Sequence, residues 1–197
     1  MKQKRIAKIE RITSETKIKL ELNIDGSGKV DVKTGIGFLD HMLDLWAFHG
    51  LFNLKLTCKG DLGIDAHHTT EDIAIALGSA LAEAVGEKKR IVRYGFSYLP
   101  MDESLLRVAL DLSGRPEFVF SGEFLQESIG NLDTQMIRHF FKSLAMSSRM
   151  TLHMSILYGI NDHHKCEGLF KALGRALSKA VEIDPRRAGV TSTKGIL

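Results

Sequence analysis

Hydrophobic and polar positions alternate through the first part of the chain. Lys17, Lys19 and Glu21 interleave with Ile18, Leu20 and Leu22, the period-two pattern of a strand with one buried face. On this reading residues 4–12 and 15–24 are strands, Asp25-Gly26-Ser27-Gly28 is a hairpin turn, and residues 29–34 continue as a strand. The period then lengthens. Phe38, Leu39, Met42, Leu43, Leu45 and Trp46 recur at helical spacing and predict a helix over 38–49 with Gly50 as its C-cap. A strand over 53–58 follows. A second helix over 67–85 presents Ile73, Ala76, Leu77, Ala80 and Leu81 on its apolar face and stops at Gly86.

The order then recurs. Strands are expected over 94–99, 105–112 and 117–120, with Ser113-Gly114-Arg115-Pro116 as a turn. A helix over 133–149 follows, with Asp133 as its N-cap, then a strand over 151–158 and a closing helix over 161–183. Each half runs strands, helix, strand, helix. A period of about 95–100 residues is a duplicated half-domain rather than a solenoid repeat. The expectation is a single α+β domain over 1–197, built of two similar halves (about 1–87 and 88–184) plus a C-terminal loop over 185–197.

Composition narrows the function. At 197 residues and 44% hydrophobic content there is enough apolar material for one core. A formal charge of +3 and 7% aromatic residues give no argument for nucleic acid. No apolar run reaches 18 residues, so no transmembrane helix is expected. The charged N-terminus lacks a signal core, which places the protein in the cytoplasm. Cys58 and Cys166 do not suggest a disulfide framework.

The strongest chemical signal is itself duplicated. His67-His68-Thr69-Thr70-Glu71 recurs as His163-His164-Lys165-Cys166-Glu167, each at the start of the last helix of its half. His41 precedes the first copy by 26 residues and His139 precedes the second by 24. Imidazole and carboxylate bind divalent first-row metals. Positions i and i+4, or i and i+3, share a helix face, so Glu71 can side with His67 or His68. Adjacent histidines diverge by about 100° and suit two metals better than one. Eight donors divide into two sites of four, and the absence of thiolate suits manganese or iron without excluding zinc. Cys166 aligns with Thr70 and reads as structural, as does His153, which has no counterpart. Arg93, Arg115, Lys171 and the run Ser192-Thr193-Lys194-Gly195 offer donors suited to phosphate. No Walker motif, GxGxxG or GxSxG is present.

RITSET, TGIGFLDHML, GDLGIDAHHTTED, RYGFSYLPMDE, LDLSGRP, GINDHHKCEGLFKAL and STKGIL occur in that order. Through them the chain resembles the imidazoleglycerol-phosphate dehydratase family along nearly its whole length. The resemblance implies a ribosomal protein S5 domain 2-like fold, with helices packed on mixed sheets. It implies a homo-oligomeric shell of 24 subunits built from trimers, with two Mn2+ at each active site between subunits. The metal positions are His41, His67, His68, Glu71, His139, His163, His164 and Glu167, the same eight picked out by the repeat. Glu15, in RITSET, matches a candidate acid–base group near the substrate, and His67, Glu71, His163 and Glu167 join it as catalytic positions. His49, Arg93, Arg115, Lys171, Ser192, Thr193 and Lys194 match substrate- or phosphate-binding positions. The family's C-terminal loop closes over substrate. No nucleic-acid or membrane partner is implied.

The implied reaction dehydrates D-erythro-imidazole glycerol phosphate to imidazole acetol phosphate, in histidine biosynthesis. The hydrogen to be lost is weakly acidic. A metal-stabilised imidazolate would expel the adjacent hydroxyl through a diazafulvene, and loss of a carbon-bound proton then gives an enol that ketonises. Glu15 or a metal-bound water moves the proton. In one departure, Leu45 stands where the family commonly has glutamine. The competing readings are a dinuclear hydrolase, which needs no imidazole-shaped pocket, and a metal-storage shell, which needs no Arg93, Arg115 or STKG tail.

Overall fold

Alternation becomes strand wherever one face can be buried. The computed structural model of the chain describes residues 5–196. Met1–Lys4 and Leu197 lie outside the described residues, and with them the first residue of the strand expected over 4–12 and the last of the loop over 185–197. The first half contains β1 (Ile6–Ile12), β2 (Thr16–Asn23), β3 (Val30–Lys33), α1 (Gly37–Gly50), β4 (Asn53–Gly60) and α2 (His67–Val85). The second contains β5 (Tyr94–Met101), β6 (Ser104–Asp111), β7 (Glu117–Ser121), the two-residue strands β8 (Ser128–Ile129) and β9 (Leu132–Asp133), α3 (Thr134–Ser148), β10 (Thr151–Tyr158) and α4 (Asp162–Val181). On β2, Ile18, Leu20 and Leu22 are buried while Lys17, Lys19 and Glu21 face outward or sit half-buried.

The two halves share one topology. The sheets run β1-β2-β4-β3 and β5-β6-β10-β7. In each, the last strand lies parallel to its neighbour and the other pairs are antiparallel. A parallel pair needs a crossover, which α1 and α3 supply. Helices α2 and α4 pack on the first two strands of their own sheets, α1 packs against α4, and α3 against α2. The helix layers therefore face each other inside, and the sheets close the outside. Trp46, Phe52, Phe140, Phe141 and Phe170 are among the largest fully buried side chains. Phe141 of α3 and Phe170 of α4 have ring centroids 4.6 Å apart. Each such burial is worth about 1.5–3 kcal/mol.

Two glycines set how closely the layers approach. Gly78 and Gly174 each lie 11 residues after the first histidine of their motif. That offset returns to within about 20° of the same helix face. A Cβ on Gly174 would sit 2.3 Å from the Trp46 carbonyl oxygen of α1. One on Gly78 would sit 2.7 Å from Ser147 Cβ and 2.8 Å from the Leu144 carbonyl oxygen of α3.

Several local expectations need correction. Asp25-Gly26-Ser27-Gly28 does not fold β2 back on β3, because β4 lies between them. The turn instead closes over the start of β4, where Asn53 Oδ1 accepts the Ser27 and Lys29 amides at 2.8 and 3.0 Å. Gly50 is not the C-cap. It is the last helical residue, and Leu51 takes the left-handed conformation at φ 58°. Glycine is needed at 50 for space, since a Cβ would lie 2.5 Å from the Phe52 ring. Asp133 occupies the N-cap position of α3 but makes no side-chain capping bond. The β8–β9 hairpin was not expected, since two-residue strands carry no readable period. Within the C-terminal loop, the Gly189 carbonyl accepts the Arg90 amide at 2.9 Å and Thr191 Oγ1 donates to the Ile91 carbonyl at 2.7 Å.

Candidate metal centre

Polar side chains fix the chain where both histidine motifs open, as a true N-cap in the second and from Asp65, the residue before the N-cap Ala66, in the first. Asn161 Oδ1 accepts the amides of His163 and His164 at 2.9 and 3.3 Å. Asp65 Oδ1 accepts the amide of His67 at 2.7 Å. One turn along, the i and i+4 side chains meet: His163 Nε2 lies 2.9 Å from Glu167 Oε1. His41, on α1, brings its own Nε2 to 3.0 Å from the same oxygen. The other helix pair repeats this. His139 Nε2, on α3, lies 2.9 Å from Glu71 Oε1, and the His67 and His139 rings are 4.9 Å apart.

The result is two groups, His41–His163–Glu167 and His67–Glu71–His139, each with its ligand atoms within 4.8 Å of one another. The 2.9–3.0 Å separations are direct histidine–glutamate hydrogen bonds, which hold the donor atoms close enough together for one ion to replace the shared proton. Imidazole plus carboxylate, with no thiolate, fits a divalent first-row ion. The groups are crosswise: each joins the lone histidine of one half to the HxxxE pair of the other. Burial alone would raise the Glu167 carboxyl, but hydrogen bonds from Lys171, His41 and His163 bring it down to about 2. It is therefore anionic, as a ligand must be.

His68 and His164 belong to neither group. About 100° round the helix from their neighbours, each has Nδ1 held by a carboxylate: Asp61 Oδ2 at 2.9 Å for His68, and Glu103 Oε2 at 2.7 Å for His164. These contacts raise both imidazoles and hold Glu103 well below the usual carboxylate range. Each Nε2 points toward a hairpin loop, 3.8 Å from Glu15 in one half and 3.7 Å from Asp102 in the other. Asp61 and Glu103 were not singled out from the sequence. Duplication was a usable signal for Glu103, since its turn repeats the turn that carries Glu15.

The expected phosphate residues converge elsewhere. Arg93, Arg115, Ser192, Thr193 and Lys194 line one cleft of about 550 Å3, joined by Tyr94, Arg187, Thr191 and Ile196. Arg93 is fixed by Asp111, through Nε at 2.6 Å and Nη2 at 2.8 Å, while Nη1 donates to the Thr191 carbonyl at 2.7 Å. Of its five N–H groups two remain free. Lys171 is not in this cleft; its ammonium bonds Glu167. Nor is His49, whose imidazole is lowered by burial and then by Lys171 and Arg175. The Arg93 amide bonds the Ala180 carbonyl, near the C-terminus of α4. The His163–Glu167 group is at its N-terminus, about 22 Å away along the axis. Cys166 is fully buried, and His153 is exposed on β10.

The profile of the imidazoleglycerol-phosphate dehydratase family matches residues 34–177, which include all eight histidine and glutamate positions of the motifs. The chain belongs to that family. It is 57% identical over 194 residues to the dehydratase of Roseiflexus sp., covering 98% of both chains. It is 56% identical over 189 residues to that of Acetivibrio thermocellus, covering 96% of this chain and 97% of the relative. A crystal structure of the dehydratase from Staphylococcus aureus superposes with a TM-score of 0.83 at 38% identity, covering 91% of this chain and 99% of that one. The fold is thus that of the dehydratases, and the chain is an enzyme of the hydro-lyase class. Glu15 and the Ser192–Lys194 run fall outside the matched family segment.

Proposed function

We propose that the enzyme dehydrates D-erythro-imidazole glycerol phosphate to imidazole acetol phosphate, with two Mn2+ per active site, at sites completed between chains of a cytoplasmic 24-subunit assembly. The observation that carries this reading is the pair of crosswise groups, each bringing two imidazoles and a carboxylate within 4.8 Å of one another. Ions held there would supply positive charge to the two ring nitrogens of the substrate, the condition under which the ring can expel the neighbouring hydroxyl.

The remaining work falls to side chains. Arg93 and Arg115 offer planar forks to the phosphate, and Ser192, Thr193 and Lys194 add hydroxyls and a cation from the C-terminal loop. Glu15, 3.8 Å from His68 Nε2, or a metal-bound water would move the carbon-bound proton. Two features support completion between chains. His68 and His164 present Nε2 away from their own chain's groups, and a carboxylate behind each Nδ1 fixes the ring, as behind metal-bound histidines. Moreover, a glycerol chain spans roughly 6 Å at standard bond lengths, far short of the 22 Å or so between group and cleft on one chain. On this reading a second chain would bring a metal group and a cleft within one substrate length. The number of subunits and the compartment follow from the family resemblance.

The test is an ultraviolet assay for the ketone product on purified protein, before and after chelation. Activity should vanish with the metal and return with Mn2+. Full turnover in protein shown to be metal-free would overturn the reading.

A further inference from the structure

A second cationic hollow adjoins the phosphate cleft. It has a volume of about 500 Å3 and is lined by Lys88, Ser113, Arg115, Ser148 and Arg149, with Gly86, Gly114 and Glu87 at its rim. Three cations thus face one space. Their charged ends make no hydrogen bond or ion pair among the described residues. Glu87 already pairs with Lys89. Arg115 and Arg149 are exposed. Lys88 is half-buried, and its stem lies on an apolar wall that includes Leu81, Val85 and Leu112. Burial, and then Arg149, lower its ammonium; Asp111 opposes this, and Arg93 and Arg115 add to the lowering. Asp111 offsets part of this charge, but its carboxylate is already held by Arg93. Like charges in excess repel one another, and a bound anion removes that repulsion.

We propose that this hollow is a second anion site, taking a phosphate-class dianion beside the substrate's own phosphate. Lys88 and Arg149 are specific to it, and Arg115 lines both spaces. Two ligands therefore draw on one guanidinium, so occupancy of the hollow weakens phosphate binding in the cleft. The site lies beyond the proposed function and rests on it only for the role of Arg115.

Lys88 and Arg149 both have φ of 55°. Asparagine tolerates that conformation better than most residues. Lys88→Asn with Arg149→Asn therefore removes two charges without adding backbone strain. Inorganic phosphate is titrated calorimetrically into the intact enzyme at constant ionic strength, with glycerol phosphate in a parallel arm. Wild type should show two classes of site per chain. The double variant should lose one class, with affinity down at least tenfold, about the value of one charge-assisted contact. Lys194→Ala should weaken only the other class, and Arg115→Gln both. If only the free ion competes, the ligand is inorganic phosphate; if the ester binds tighter, it is a phosphate monoester. On unaltered protein, phosphate should slow acetylation of Lys88, which keeps the test open if the variant fails to fold. A single class in wild type, a second class intact in the folded double variant, or unchanged Lys88 acetylation overturns the site. Failure of Lys194→Ala to weaken either class would instead count against the cleft.

Discussion

Gly174→Ala tests whether the helix packing, rather than the ligands alone, defines the metal group. The new Cβ would lie 2.3 Å from the Trp46 carbonyl oxygen and 3.1 Å from the Gly50 amide. Both are backbone atoms of α1 and cannot rotate away. Relief requires α1 to withdraw from α4 by about 1 Å, an overpacking cost of about 1–3 kcal/mol. Replacing glycine within a helix returns about 1 kcal/mol, so the net loss of stability is about 0–2 kcal/mol and the protein stays folded. His41 lies on α1 just over one turn before Trp46 and moves with it. Its Nε2 is 3.0 Å from Glu167 Oε1, and metal–ligand distances tolerate only about 0.2 Å. The expected outcome is a loss of metal affinity at the His41–His163–Glu167 group of at least tenfold, about that of a disturbed supporting contact. The other group should be unchanged. Gly78→Ala should give the mirror result. Competition titration against a chelator measures the affinity, and calorimetric melting measures stability. A variant with lowered melting temperature but wild-type affinity at both groups would refute the coupling.

Other outcomes follow from the same geometry. His68→Ala and His164→Ala should each abolish activity while leaving the fold intact; near-normal turnover with full metal content would remove them from the site. Chelation should dissociate the assembly, because binding and association are linked, and unchanged light scattering from metal-free protein would show the groups do not hold the interface. Deleting residues 190–197 should cut turnover severely with metal content unchanged, since the deletion takes Thr191 from Ile91 and Arg93. Lys194→Ala should cost one charge-assisted contact, about 1.5–3 kcal/mol or tenfold or more in rate, and wild-type turnover in the truncation would make the loop a passive terminus.

Local periodicity made the strands and helices legible, because burial of one face leaves its period in the sequence. Ile18, Leu20 and Leu22 are an example. The repeated histidines and glutamates were legible for a different reason: duplication repeats a pattern too specific to arise twice by chance, and six of the eight residues meet in the two groups. What the sequence did not carry is which elements become neighbours. Asp25 to Gly28 has hairpin chemistry, but the choice of β4 as the partner of β2 is made by packing across the chain. Likewise Glu71 could side with either adjacent histidine until helix α3 brought His139 to one face. Gly50 reads as a cap, yet the constraint on it comes from Phe52 and Gly174. Asp61 and Glu103 escaped notice because acidic loop residues are common, and only their contact with a histidine Nδ1 distinguishes them.

The crosswise grouping bears on how the chain arose. Neither half contains a complete group, since each lone histidine serves the other half's HxxxE pair. A half-length ancestor would have been inert as a single copy. Two such copies packed helix to helix would have formed both groups at once, identical by symmetry. Fusion would then have fixed that partnership within one polypeptide. After such a fusion each half would be free to vary its outer sheet, while the inner histidines and the glycines beneath them would remain bound to their counterparts.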